Sequence, residues 1–251
     1  MSDEIILSAE GLTRRFGGFV AVDGVSLSIR RGAIHALIGP NGAGKTTCFN
    51  MLTGFLPATS GRIHYKGRDI TRLHPAAVAQ RGLIRSFQIS AVFPHLTALE
   101  NVRIGLQRHR GESFDFWRSG SALRIYDDRA AQLLDTVDLG AYADVRAAEL
   151  PYGRKRALEI ATTIALDPEM LLLDEPMAGM GHEDVDRMAD LIRRVATTRT
   201  ILMVEHNLSV VASLSHTITV MARGRVLTEG DYATVSKDPR VIEAYIGVGH
   251  G

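Results

Sequence analysis

Gly39-Pro40-Asn41-Gly42-Ala43-Gly44-Lys45-Thr46-Thr47 is the stretch that decides the fold. It follows a short apolar run, Ala33-Ile34-His35-Ala36-Leu37-Ile38, that reads as a buried strand, and it leads into Cys48–Leu52, which reads as the start of a helix. The glycines let the backbone wrap closely around an anion and turn several N–H groups toward it. A helix N-terminus at the end of the wrap adds a dipole favourable to negative charge. All nine residues from Gly39 to Thr47 are therefore expected to cradle a polyphosphate, with Lys45 on the terminal phosphates and the Thr46 hydroxyl on a magnesium ion (Mg2+). The plain alternative is a glycine-rich turn that happens to precede a helix.

Upstream of the loop, Val25, Leu27 and Ile29 alternate, as Ile5 and Leu7 do, and Arg62–Lys66 is a further short strand before a turn at Gly67. This predicts an antiparallel layer beside an α/β core. Downstream the pattern turns helical. Thr97-Ala98-Leu99-Glu100 has capping-box spacing, followed by Leu99, Val102 and Leu106 at helical intervals, with Gly105 leaving the length of the helix open. Residues 109–121 read as a loop, 127–137 as a second helix, and 154–166 as a third that stops at Pro168. The last third alternates: an apolar run at 170–173, a helix carrying Val185, Met188, Ile192 and Val195 on one stripe, then strands at 200–204, 216–221 and 226–228. Strand and helix in repetition predict a parallel sheet.

The bulk numbers narrow the class. At 251 residues, with 45% hydrophobic and 23% charged residues, the chain reads as one large folded domain or a core with an insert. A net charge of +1 argues against a broad nucleic-acid footprint. No apolar run reaches the length of a membrane span, and the first ten residues carry acids but no basic residue, unlike a secretory signal. The single cysteine, Cys48, excludes an internal disulfide and suits a reducing compartment.

Two further strand ends carry chemistry. Leu173-Asp174-Glu175 closes the apolar run at 170–173. Asp174 is a Mg2+-site candidate, and Glu175 a candidate base to polarise a water aimed at the terminal phosphate. Glu205-His206-Asn207 follows the strand at 200–204 and sets an imidazole on the same rim. The other histidines are scattered without metal-ligand spacing, and His35 reads as a core histidine.

The ordered set of phosphate loop, Gln88, helical insert, Leu150-Pro151-Tyr152-Gly153-Arg154, Leu173-Asp174-Glu175 and His206 resembles the ATP-binding subunit of an ABC transporter, from about Ile5 to Tyr245. The resemblance implies a P-loop NTPase (RecA-like) α/β core with a parallel sheet, an N-terminal antiparallel β layer and an inserted helical subdomain. It implies one ABC ATPase domain, divided into 1–88 (β layer and first part of the core), 89–166 (helical subdomain with the signature), 167–230 (second part of the core) and 231–251 (C-terminal tail). It further implies an ATPase that uses ATP and Mg2+, with two such subunits pairing head to tail. Phe16 falls where the family stacks an aromatic on adenine. Gln88 falls where the family senses Mg2+ and the membrane subunit, Glu175 matches the general base, and His206 the contact to the terminal phosphate. Leu150, Pro151, Tyr152, Gly153 and Arg154 form the signature that faces the partner's nucleotide.

Within the family, Arg85-Ser86-Phe87-Gln88, Val92-Phe93-Pro94-His95-Leu96-Thr97 and Pro239–Gly247 resemble the branched-chain amino-acid importer branch, and the stretch at 109–121 its longer ATPase subunit. That implies a heterodimer (a homodimer being the alternative), integral membrane permeases, a periplasmic or extracellular solute-binding protein, no nucleic acid, and a peripheral place on the cytoplasmic face of the inner membrane. Two alternatives stand beside it: an ATP-dependent dimerisation switch with little hydrolysis, and a soluble ABC ATPase not linked to transport.

Two departures weaken contacts across the dimer. Pro151 stands where the signature has serine and Arg154 where it has glutamine, so one donor to the partner's phosphate is missing. Gly181 stands where the family generally has aspartate or asparagine. Arg154 is open to two readings, a compensating cation near the partner's phosphate or, with Lys155 and Arg156, a solvated basic helix start. Val92, Phe93 and Leu96 are either core or a docking groove for a membrane subunit.

Overall fold

The computed structural model describes residues 4–86, 92–107 and 125–246. The chain forms two compact units, one made of 4–85, 169–175 and 195–246, the other of the described residues in 86–168 and 176–194. No helix among the described residues is long and apolar enough to cross a membrane.

The first unit opens with β1 (Ile5–Phe16) and β2 (Phe19–Arg30), a long antiparallel hairpin, then β3 (Ile34–Ile38) and α1 (Lys45–Leu52). Next come β4 (Ser60–Tyr65), β5 (Arg68–Asp69), α2 (Pro75–Gln80) and β6 (Leu83–Arg85). Strands β2-β1-β4-β5 form the antiparallel layer. The alternation in β2 buries Val25, Leu27 and Ile29, as its sequence requires. In β1 the alternation breaks: the register shifts between Ile5 and Leu7, so Ile6 and Leu7 are both buried and Ile5 is exposed.

The second unit holds α3 (Ala98–Gln107), α4 (Asp127–Thr136), α5 (Tyr152–Ile164) and most of α6 (His182–Ala196). Thr97 and Glu100 close a reciprocal capping box: Thr97 N–H donates to Glu100 Oε2 at 2.8 Å and Glu100 N–H to Thr97 Oγ1 at 3.2 Å. Gly105 does not interrupt α3. A Cβ there would lie 2.9 Å from Ala165 Cβ and 3.0 Å from Thr162 O, so glycine is what lets α3 and α5 approach. α5 begins two residues earlier than expected, directly after Pro151, and ends before Pro168; Asp167 already has φ 48°. The loop expected at 109–121 lies outside the described residues.

The chain returns to the first unit through β7 (Met170–Asp174), β8 (Thr200–Val204), α7 (Leu208–Leu214), β9 (Thr217–Ala222), β10 (Arg225–Gly230), α8 (Tyr232–Val235) and α9 (Pro239–Ile246). The second sheet has the order β10-β9-β3-β8-β7-β6, parallel throughout except for β10. Every residue of β3, β7 and β8 is buried, which explains their unbroken apolar runs. The α/β core with its antiparallel β layer is the fold the sequence predicts.

Candidate functional site

Strands β3, β8 and β7 are neighbours and parallel, so the loops that leave them open on one edge of the sheet. Register makes this concrete: Val204 pairs with Leu37 on one side and with Asp174 on the other. The phosphate-loop motif, Asp174-Glu175 and Glu205-His206 thus meet there although up to about 170 residues separate them in sequence.

The loop's glycines are set by space and by backbone angle. Gly39 has φ 150°, and a Cβ on it would lie 2.1 Å from Met221 O; Gly44 has φ 98°, and its Cβ would lie 2.6 Å from Ala21 O. Gly42, at φ 77°, faces open space. Gly44 is the N-cap of α1 and offers no side-chain acceptor, and no acid sits in the helix's first turn. The helix therefore starts with N–H groups that no side chain caps.

Lys45 is 8% exposed, and its ammonium donates to Gly39 O at 2.7 Å and Pro40 O at 3.1 Å. Burial pushes its pKa down, against the opposing pull of Glu175 and Asp174. An under-solvated cation held by carbonyls, beside uncapped amides, fits an anion with several oxygens. The residues present thus suit a polyphosphate.

Asp174 is buried, and its Oδ2 accepts from Arg85 Nη2, whose Nη1 also donates to Asn50 Oδ1. Glu175 sits in the left-handed region at φ 46°, held by its N–H to Val204 O at 2.9 Å. Such a conformation costs on the order of 1–2 kcal/mol for a residue with a Cβ. It turns the chain sharply where the second acid leaves the strand. Across β8, the buried carboxylate of Glu205 accepts the N–H groups of His206 at 3.1 Å and Asn207 at 3.4 Å. That bond orders the turn and leaves the His206 ring exposed.

Phe16 lies at the tip of the β1–β2 hairpin, 47% exposed, paired in register with Phe19 across Gly17-Gly18. The same hairpin meets the loop, since Ala21 and Val22, with Gly224, crowd Gly44.

In the second unit Leu150 is buried and Pro151 is the N-cap of α5, with no side-chain bond to the helix. Tyr152 Oη donates to Ala178 O at 3.0 Å, and a Cβ on Gly153 would lie 2.7 Å from the Asp184 carboxylate. The three cations at 154–156 are half-buried at the helix start, and each has a partner. The Arg154 guanidinium rests 3.8 Å from the centre of the Tyr142 ring. Lys155 Nζ donates to Ala148 O, and Arg156 pairs with Glu159 at 2.9 Å.

Residues 22–178 match the family model for the ABC transporter. The chain belongs to that family. It is an ATP-binding cassette, the ATPase subunit type of these transporters. Residues 225–251 of the cassette also match a model for the branched-chain amino acid ATP-binding cassette transporter. The cassette is similar to the high-affinity branched-chain amino acid transport ATP-binding protein BraF of Pseudomonas aeruginosa, at 38% identity over 96% of this chain and 98% of the relative. It is similar to LivG of Escherichia coli K12, of the same description, at 37% over 96% and 98%. Among solved structures it resembles the ADP conformation of MJ1267, an ATP-binding cassette of an ABC transporter, with a TM-score of 0.86, 33% identity, and coverage of 97% of this chain and 99% of that one. A nucleotide-free ATP-binding cassette from an ABC transporter matches with a TM-score of 0.82 at 32% identity, covering 97% and 100%.

Of the residues expected in this cassette's site, Gly39–Thr47, Asp174, Glu175, His206 and Phe16 belong to the first unit, and Leu150–Arg154 lie together in the second. Gln88 lies outside the described residues. Sequence reasoning missed three supporting side chains. Arg85 and Glu205 hold the two strand ends, and buried Asn101 bonds Phe93 N–H and the carbonyls of Phe93, Leu96 and Thr97. Asn101 sits on the buried stripe of α3, where a lone polar residue is the available sequence signal. It holds Phe93 at the surface, 52% exposed, so Phe93 is not core.

Proposed function

We propose that this cassette hydrolyses ATP to drive an importer for branched-chain amino acids or a related small solute. The observation that carries the reading is the near-full-length likeness to branched-chain amino acid transport ATP-binding proteins, joined to the C-terminal match over residues 225–251. In this reading the loop amides and Lys45 hold the phosphates of ATP, and Phe16 receives the adenine. Thr46, Asp174 and Gln88 would hold Mg2+, which would neutralise phosphate charge when bound. Glu175 takes the proton from the attacking water, and His206 donates to the terminal phosphate. Residues Leu150–Arg154 serve the nucleotide of a second ATP-binding subunit.

Exposed Phe93, held by Asn101, favours docking to integral permeases at the cytoplasmic face of the inner membrane. A separate solute-binding protein would deliver the substrate. Pro151 and Gly181 favour a heterodimer whose two sites differ. The test is direct: Lys45→Ala should lower ATP turnover at least a hundredfold and weaken ATP binding measured by calorimetry. Purification from membranes should bring down permeases. Parent-like turnover in Lys45→Ala would overturn the ATPase reading; recovery of ribosomes or DNA in place of permeases would overturn the transport reading.

A further inference from the structure

The hairpin tip carries more than one exposed ring. Arg14, Arg15 and Phe16 pair in register with Val22, Val20 and Phe19. Val22 packs at Gly44, its Cγ2 lying 3.4 Å from where a Cβ would stand. Phe16 is two strand positions beyond Arg14, or about 7 Å along β1. An exposed aromatic ring on the hairpin that meets the phosphate loop presents a flat surface to a flat base.

Arg14 takes up one side of that ring. Its guanidinium carbon lies 4.7 Å from the centre of Phe16. The fork is tied down by Nη1 donating to Pro57 O at 2.8 Å, while Nε is buried and makes no hydrogen bond. A solvated arginine would satisfy that donor, so the fork is held over the ring at the expense of one hydrogen bond. The Phe16 ring is thereby backed by the guanidinium while it remains 47% exposed. Pre-ordering of this kind favours a ligand that stacks, because less freedom is lost on binding.

We propose that Arg14 is a positioning residue for the base: it backs Phe16 and fixes it as a one-sided platform for the purine. The proposal rests on the ATP reading above and adds to it a residue whose side chain contacts Pro57 O and the Phe16 ring.

The test is calorimetric titration of the full chain with ATP and with inorganic tripolyphosphate as the base-free probe. Arg14→Ala should raise the Kd for ATP about three- to tenfold and leave that for tripolyphosphate unchanged. In turnover, KM should rise with kcat unaltered. Arg14→Lys, which keeps the charge without the flat fork, should also bind ATP at least threefold more weakly than the parent. In a Phe16→Ala background, Arg14→Ala should have no further effect on ATP. Equal losses for ATP and tripolyphosphate, full recovery in Arg14→Lys, or additive losses in the double variant would each overturn the proposal. A parent that binds ATP while Arg14→Ala is unchanged overturns the proposal alone; a parent that fails to bind ATP overturns the nucleotide reading and this proposal with it.

Discussion

Arg85 and Asp174 form a nearly buried pair, with side chains 11% and 3% exposed. Removing the cation strands a carboxylate away from water, which is costlier than the pair itself is favourable. Arg85→Ala is therefore expected to lose about 3 kcal/mol of stability, read as a lower urea midpoint at unchanged slope. His35 shows the same desolvation acting on a neutral group. It is 1% exposed, and its Nε2 lies 2.7 Å from Thr219 Oγ1, which donates to Glu229 Oε2. The Thr219 proton is thus committed to Glu229, so Nε2–H of His35 is the donor. Burial pulls the His35 pKa down from 6.5 to about 4. The unfolded chain then binds a proton that the folded chain refuses between those values, so stability rises with pH across that window and is flat above it. From pH 7 to 4 the parent should lose up to about 3 kcal/mol more than His35→Leu, measured by denaturation at the two pH values.

At the scale of elements, the capping box of α3 is the local signal that survived into the structure unchanged, because both partners lie within four residues. Thr97→Ala should cost about 1 kcal/mol, checked as a fall in Tm of a few degrees. The start of α5 was not readable in the same way. A proline at N-cap has no side-chain acceptor, so the helix boundary carried no cap signal. The fate of the three cations at 154–156 depended on Tyr142, Ala148 and Glu159, only the last of which is a helical neighbour. In β1, one register shift moved Ile5 out and Ile6 in, which a period-two count misses.

For the whole molecule, the proposed heterodimer assigns Pro151 and Gly181 to the partner's nucleotide and leaves this chain's own loop, acids and histidine in place. The subunit alone is expected to be a slow ATPase, and a fast, cooperative homodimer would count against the mixed-dimer reading. Space at Gly181 is open, with nothing within 4 Å of an added Cβ, so Gly181→Asp should fold with an unaltered Tm. Combined with Pro151→Ser, which returns a hydroxyl at the start of α5, it should raise the homodimer's turnover about a hundredfold, the worth of one positioned donor.

What the amino-acid order determined by itself was local: the glycine-rich loop between strand and helix, the buried character of β3, β7 and β8, the capping box, and the acids and histidine that end their strands. These follow from backbone freedom, periodicity and hydrogen bonds among near neighbours. What tertiary structure alone decided was which distant groups stand together. Asp174 meets Arg85, Gly39 is pressed by Met221, Gly44 by Ala21, and Phe16 is backed by Arg14 through a register that holds a bulge. Strand order, register and close packing set those contacts, and none of the three is written in the spacing of residues along the chain.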